Sequence, residues 1–215
     1  MLQHFKRFLF MVKRHRQLAK VVFTHVHFLE NRDRTFWGSL TEEDEDAIVA
    51  LTEEANAISG PIVEIGALFG FTTQLFATHK LLEKELITVE DFSWNPFCLP
   101  TDDHRVMTHR AMRYVMQHCN TRIYEGSNRK FYETYRGERP SMIFIDADHS
   151  YEGVMEDIES SRKLGIPLIS GHDYHEFFPG VMRAVDEVFQ GRKTVNGTVW
   201  WHDARRQSGH ETTSS

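Results

Sequence analysis

The chain is poor in cysteine: Cys98 and Cys119 are the only two among 215 residues, and neither belongs to a Cys-x-x-Cys pair. A disulfide framework and a cysteine-built zinc site are therefore unsupported, and two free thiols in a reducing, cytoplasmic compartment are expected. No run of 18 apolar residues is present, so no transmembrane helix is expected. Nor is there an excess of positive charge. The formal net charge is −6, which argues against a general nucleic-acid binder, and no Lys/Arg groove interleaved with aromatics marks a single-strand channel. The phosphate-binding signatures are missing too: there is no Gly-x-Gly-x-x-Gly and no P-loop lysine, which disfavours a nucleotide-dependent oxidoreductase. Repeats and low-complexity linkers are absent. What remains is 40% hydrophobic and 26% charged, over a length that suits one hydrophobic core and is short for two.

The first twenty residues carry Lys6, Arg7, Lys13, Arg14, Arg16 and Lys20 and no acid. Leu2, Phe5, Leu9, Val12, Ala19 and Phe23 recur at roughly helical spacing. The apolar core is too interrupted for a secretory signal. Two readings of this basic amphipathic helix stand. It packs its apolar face on the domain or on a second subunit, giving a homo-oligomer, or it makes peripheral contact with an anionic membrane. The first is favoured.

Residues 29–40 read as irregular. Thr41 then reads as an N-cap, followed by the acids Glu42 to Asp46, which the helix dipole favours in a first turn. Ile48, Leu51, Ala55 and Ile58 continue that helix. The acid run is expected to be a solvated helix start without function. Residues 1–59 are thus read as a helical segment packing on the domain that follows.

From Gly60 short β-branched or apolar runs alternate with helical stretches. The runs are Ile62–Ile65, Leu86–Glu90, Thr121–Tyr124, Met142–Ile145 and Pro167–Ile169; helices are expected near 71–84, 103–118, 128–136, 151–164 and 179–190. This alternation predicts an α/β fold: a Rossmann-like, doubly wound, mainly parallel sheet with helices on both faces. Near the end, Lys193–Val195 and Thr198–His202 flank Asn196-Gly197, a tight-turn signal, so the sheet is expected to finish in a C-terminal antiparallel hairpin. The domain is placed at 60–205, with a polar, disordered tail at 206–215.

Ligands of open α/β sheets bind beyond the carboxyl ends of the strands, which directs attention to the residues after each run. The first run enters VEIGALFGFTT, Val63 to Thr73. Gly66 and Gly70 allow a tight turn and close backbone approach, and the helix start beyond offers free amides. Glu64 before the turn would repel a phosphate and suits the ammonium of an amino acid. The second run ends at Glu90 and Asp91; an acid there accepts hydrogen bonds from ribose hydroxyls, and Glu90 is preferred. After the third run, Ser127 and Asn128 are small polar groups positioned for an adenine edge.

The fourth and fifth strand ends are the most specific. SMIFIDADHSYEG sets Asp146, Asp148 and His149 after a buried strand, and LISGHDYHE sets His172 and Asp173 after the next. So many acids at adjacent strand ends are costly unless a cation or polar partner neutralises them. Carboxylates suit Mg²⁺, Ca²⁺ or Mn²⁺, and an imidazole tilts the choice towards Mn²⁺, Fe²⁺ or Zn²⁺. Asp146, Asp173 and His172 are the expected metal ligands, with Asp146 also counted in the cofactor pocket. Asp148 is the expected general base and His149 its rival, since imidazole titrates nearer neutrality. The bland alternative is a structural network of helix caps and His-Asp pairs.

Together VEIGALFGFTT, ITVEDF, IDADHSYEGV, SGHDY and PGVMRAVDEVF resemble the class I S-adenosylmethionine (SAM)-dependent methyltransferases. More narrowly they resemble small O-methyltransferases of the macrocin sugar type and, more distantly, of the catechol and caffeoyl-CoA types. The resemblance spans about residues 60–202. It implies that Glu64, Gly66 and Gly70 line the methionine part of SAM, that Glu90 holds the ribose and that Ser127 and Asn128 flank adenine. It also implies that Asp146, His172 and Asp173 hold a divalent metal, Mg²⁺ or Mn²⁺ being favoured, with Asp148 as base. The implied reaction is in-line methyl transfer to a hydroxyl of a sugar or other small molecule, activated by a cation and deprotonated by a base, with positioning contributing most of the rest. The sequence departs from that group in two places: Lys163-Leu164-Gly165-Ile166-Pro167 replaces a Pro-Gly-Gly turn, and the metal pair is His-Asp rather than Asp-Asp or Asp-Asn. Two further readings stand beside the metal-assisted enzyme, a metal-independent methyltransferase with a His base and a non-catalytic binding module of the same fold. The insert Phe92–His104 matches no motif and is read as a lid, an acceptor wall or a plain surface loop.

Overall fold

The structure, a computed structural model, describes residues 40–207. The basic N-terminal helix and nearly all of the irregular stretch after it lie outside the described residues, as does the tail from residue 208. The chain divides into two compact units, residues 1–42 and 43–215, and the sheet and its site belong to the second.

Helix α1 (Glu42–Asn56) is followed by β1 (Ile62–Ile65), α2 (Phe71–His79), β2 (Leu86–Glu90), α3 (Thr101–Ala111), α4 (Arg113–His118) and β3 (Thr121–Glu125). Then come α5 (Asn128–Thr134), β4 (Met142–Ile145), α6 (Tyr151–Lys163), β5 (Leu168–Gly171), α7 (Pro179–Phe189), β6 (Thr194–Asn196), β7 (Val199–Asp203) and a 3-10 turn over Ala204–Gln207. The seven strands form one sheet in the order β3-β2-β1-β4-β5-β7-β6. The first five run parallel, while β7 is antiparallel to both β5 and β6. The expected doubly wound sheet with a C-terminal hairpin is the fold observed. Among the described residues no helix is long and apolar enough to cross a membrane.

Side chains alternate across a strand, and this parity fixes what each face carries. Val63, Ile65, Ile87, Val89, Ile143, Ile145 and Ile169 point into a core shared with Val154 and Ile158 of α6 and Val181, Ala184, Val185 and Phe189 of α7. The even-numbered residues point the other way, where Phe144 packs edge-on against Phe76 of α2 with ring centroids 5.3 Å apart. Glu64 is on that second face, in register with Thr88 and Phe144. A charged residue type is thereby carried into the interior between two strands.

One element differs from its expected form. The helix expected over 103–118 is two helices, interrupted at Met112, which has φ −86° and ψ −3°. Met112 is fully buried, and its side chain lies directly against Gly70 of the first turn. Helical spacing on both sides of the break conceals it from periodicity alone.

Candidate active site

The turn after β1 is built from backbone. Gly66 has φ +92°, and a Cβ there would fall 2.0 Å from the Asp146 carbonyl oxygen, so only glycine lets this turn lie against the end of β4. Gly70 closes the turn with its N–H donating to the Ala67 carbonyl at 2.6 Å. The peptide between is held from two sides. His104 Nε2 and Thr108 Oγ1 of α3 both bond the Leu68 carbonyl, at 2.9 and 2.6 Å. Glu90, at the end of β2, accepts from the N–H groups of Ala67 and Leu68 on Oε2 at 2.9 and 2.8 Å, and from Phe92 N–H on Oε1 at 2.8 Å. It stands beside the glycine turn; Oε2 has both lone pairs engaged, while Oε1 retains one lone-pair direction for a further donor. The insert after β2 belongs to the same structure: Phe97 meets Phe69 of the turn with centroids 5.7 Å apart, while Trp94 is exposed.

Glu64 is fully buried. Thr73 Oγ1 donates to its Oε2 at 2.5 Å, and its Oε1 has no hydrogen-bond partner. Burial above all, against the hydroxyls of Thr73 and Thr88, pushes its pKa up to about 8, and the nearby charges of Asp146 and Glu90 push the same way. A buried acceptor without a donor fits an ammonium group brought in by a ligand.

Ser127 and Asn128 lie at the start of α5. Ser127 is its N-cap, accepting from Lys130 N–H at 3.3 Å. Asn128 turns inward and donates through Nδ2 to Asp157 Oδ1 of α6 at 2.8 Å. The structure therefore ties both side chains into helix packing.

The acid and imidazole groups after β4 and β5 converge. Asp146, His149 and Asp173 each bring one ligand-type atom within 4.8 Å of the others. His149 Nε2 is 3.0 Å from Asp173 Oδ2 and 3.5 Å from Asp146 Oδ1. Behind them His172 is buried; its Nδ1 is 3.4 Å from Asp173 Oδ1 and 3.8 Å from Asp146 Oδ2, and that nitrogen makes no hydrogen bond. The backbone supports the cluster, as Asp173 adopts φ +59°, uncommon for a non-glycine residue. For His149, burial opposes the charged ring but is outweighed by hydrogen bonds to Asp146 and Asp173 and by their charges, and the pKa is raised to about 10. His172 likewise loses by burial and gains more from Asp146, Asp44 and Asp173, rising to about 9. The carboxylates thus favour positive charge on the two imidazoles that face them. Asp148 stands at the edge of this group. It is exposed, with Oδ1 accepting from Ser150 N–H at 2.9 Å at the start of α6.

One expectation is overturned. Asp44, in the acid run read as a solvated helix start, is 0% exposed and accepts from Thr198 N–H on Oδ1 at 2.6 Å. Helix spacing carried the signal: Asp44 lies four residues before Ile48, on the stripe that buries Ala47, Ile48, Leu51 and Ala55. His104, Thr108 and Thr198 were not singled out in the sequence either, because each is an isolated polar residue whose partner lies at least 26 positions away.

A glycine turn leading into a helix and a polar cluster across two further strand ends, on a parallel sheet closed by an antiparallel strand, place this chain among the Rossmann-like cofactor-binding α/β folds. The particular family follows from its sequence: a family model described as a methyltransferase domain matches residues 63–174, just over half of the chain, and the chain belongs to that methyltransferase family. Among solved structures it is similar to an O-methyltransferase from Bacillus cereus in complex with SAH, at 16% identity, covering 82% of this chain and 89% of that one with a TM-score of 0.59. It is similar to the O-methyltransferase TomG from Streptomyces achromogenes, involved in tomaymycin synthesis and in complex with SAM, at 17% identity, 80% and 85% coverage and a TM-score of 0.56. It is also similar to CalS11, a TDP-rhamnose 3'-O-methyltransferase of calicheamicin biosynthesis, at 14% identity, 74% and 78% coverage and a TM-score of 0.55. At these identities the likeness establishes the fold. No curated protein matches the chain.

Proposed function

We propose that this methyltransferase transfers the methyl group of SAM to an oxygen of a small hydroxylated molecule, such as a sugar, with a divalent cation, Mg²⁺ or Mn²⁺, held at the ends of β4 and β5. The observation that carries the reading is the convergence of Asp146, His149 and Asp173 within 4.8 Å, with His172 Nδ1 buried behind them, facing Asp173 and Asp146 without a hydrogen bond. Carboxylate oxygens with imidazole nitrogen make a donor set suited to Mn²⁺ and, with fewer nitrogens, Mg²⁺.

SAM supplies a methyl group on a positively charged sulfonium. The turn Gly66–Gly70 presents backbone to the cofactor, and Glu64 Oε1 receives its ammonium. Glu90, already fixing the turn through Ala67 and Leu68 on Oε2, meets the ribose through the remaining lone pair of Oε1. Asp146 borders both the cofactor turn and the cation. A bound cation supplies positive charge beside the acceptor hydroxyl. Asp148, exposed at the mouth, is the group free to accept the acceptor's proton, because His149 is committed to Asp146 and Asp173. Ser127 and Asn128 shape the adenine side through helix α5.

The test is methyl transfer from labelled SAM to a panel of sugars and catechols, in metal-stripped buffer and with Mg²⁺ or Mn²⁺ restored. Transfer is expected only with the metal, and Asp173→Ala is expected to reduce it by at least about 100-fold, since a metal contributes several kcal/mol of charge stabilisation. Full activity of Asp173→Ala in metal-free buffer would remove the cation from the mechanism.

A further inference from the structure

We infer that Asp44 is a positioning residue for the candidate cation site: acting through Thr198, it holds the His172 ring in place with its proton on Nε2 and turns Nδ1 toward Asp146 and Asp173. The consequence for a cation rests on the metal reading above; the arrangement of the ring does not.

The argument is one of donors and acceptors. Asp44 Oδ1 accepts from Thr198 N–H at 2.6 Å and lies 3.1 Å from Thr198 Oγ1. A carboxylate cannot donate, so the Thr198 hydroxyl spends its only proton on Asp44. Its lone pairs are then what faces His172 Nε2, 2.9 Å away, and that nitrogen must be the donor. Asp44 Oδ2, 3.5 Å from the same Nε2, reinforces this choice. In the neutral ring the remaining nitrogen, Nδ1, carries the lone pair, and it is the atom that lies 3.4 Å from Asp173 and 3.8 Å from Asp146 without a hydrogen bond. Second-layer carboxylates commonly fix the tautomer and orientation of a metal-binding histidine in this way.

The fold is arranged to admit this contact. Asp44 comes from α1, Thr198 from the β6–β7 hairpin and His172 from the end of β5. The ring is pinned at its backbone as well, as Trp200 Nε1 donates to the His172 carbonyl at 3.2 Å. The hairpin turn closes over Asp44 at Gly197, where φ is +59° and a Cβ would stand 2.4 Å from Asp44 Oδ1. Any side chain there would strain the turn and push the carboxylate away.

Three variants separate the roles: Asp44→Asn, Thr198→Val and Thr198→Ser. Two-bond ¹H–¹⁵N spectra of the histidine rings, taken at alkaline pH where the rings are neutral, read the tautomer without any metal. The wild type and Thr198→Ser should show His172 with a protonated Nε2 and an unprotonated Nδ1. Asp44→Asn and Thr198→Val should shift the proton toward Nδ1. Mn²⁺ affinity, measured by electron paramagnetic resonance, should fall about 10- to 100-fold in those two variants, whereas S-adenosylhomocysteine affinity stays unchanged and verifies folding. An unaltered His172 tautomer in both Asp44→Asn and Thr198→Val overturns the proposal. A shifted tautomer in a protein that binds no Mn²⁺ upholds the positioning of His172 and refutes the metal reading instead.

Discussion

Asp157 shows how a single buried carboxyl can govern stability. It is fully buried in α6, with one oxygen bonded to Asn128 and the other without a hydrogen bond. Burial, opposed by the Asn128 bond and aided by the charges of Glu156 and Asp148, raises its pKa to about 7. Because the folded value lies above the unfolded one, the unfolded chain ionises first as pH rises. The stability this group contributes is complete below about pH 4 and is lost progressively up to about pH 7, at a rate approaching 1.4 kcal/mol per pH unit at most. Asp157→Asn keeps the Oδ1 acceptor and removes the charge. In urea unfolding at a series of pH values, the variant should match the wild type near pH 4 and exceed it by on the order of 1 kcal/mol or more at pH 8. A difference that does not change with pH would refute the account of this group. At this scale sequence reading singled out Asp146 and Asp173 from their place after a strand, and the structure brings the two together with His149. Sequence reading failed for Asp44, since five consecutive acids at a helix start look alike until the apolar stripe is used to tell the inward one from the rest.

Among the elements, β1, β2 and β4 were legible because these central parallel strands are buried and read as apolar runs, and they have the expected limits; β3, at the sheet edge, is only partly buried. The helices were legible from their 3.6 spacing, but where they break was not. Met112 looks like any apolar helical residue, and only its packing against Gly70 gives the interruption a reason. The insert Phe92–His104 was illegible because its contacts with the turn, from Phe97 to Phe69 and from His104 to the Leu68 carbonyl, follow no motif. The glycine turn is the element on which the cofactor reading depends. Gly66→Ala places a methyl group against backbone, at a φ that alanine disfavours, so the turn must move. Thermal unfolding should report a loss of about 2 kcal/mol or more, and calorimetry should report loss of S-adenosylhomocysteine binding. Wild-type stability together with wild-type binding would mean that the turn does not approach the ligand.

The whole molecule assembles one site from distant parts of the chain. Parallel order brings the ends of β1, β4 and β5 side by side, so Asp146 lies between Asp173, with which it converges, and Glu64, whose pKa its charge raises, although the three are far apart in sequence. The antiparallel β7 then returns beside β5 and delivers Thr198 to the back of His172. Adjacency of strand ends follows from the fold and was therefore foreseeable. Which imidazole faces the carboxylates depends on side-chain geometry: His149 joins Asp146 and Asp173 at the front, and His172 stands behind. The central claim is that this arrangement binds SAM beside a cation. The most direct measurement is calorimetric titration of the purified protein with S-adenosylhomocysteine, after chelation and with Mn²⁺ or Mg²⁺ present. Saturable binding in the micromolar range is predicted, together with Mn²⁺ binding that Asp146→Ala and Asp173→Ala abolish. Absence of S-adenosylhomocysteine binding under every metal condition would contradict the account.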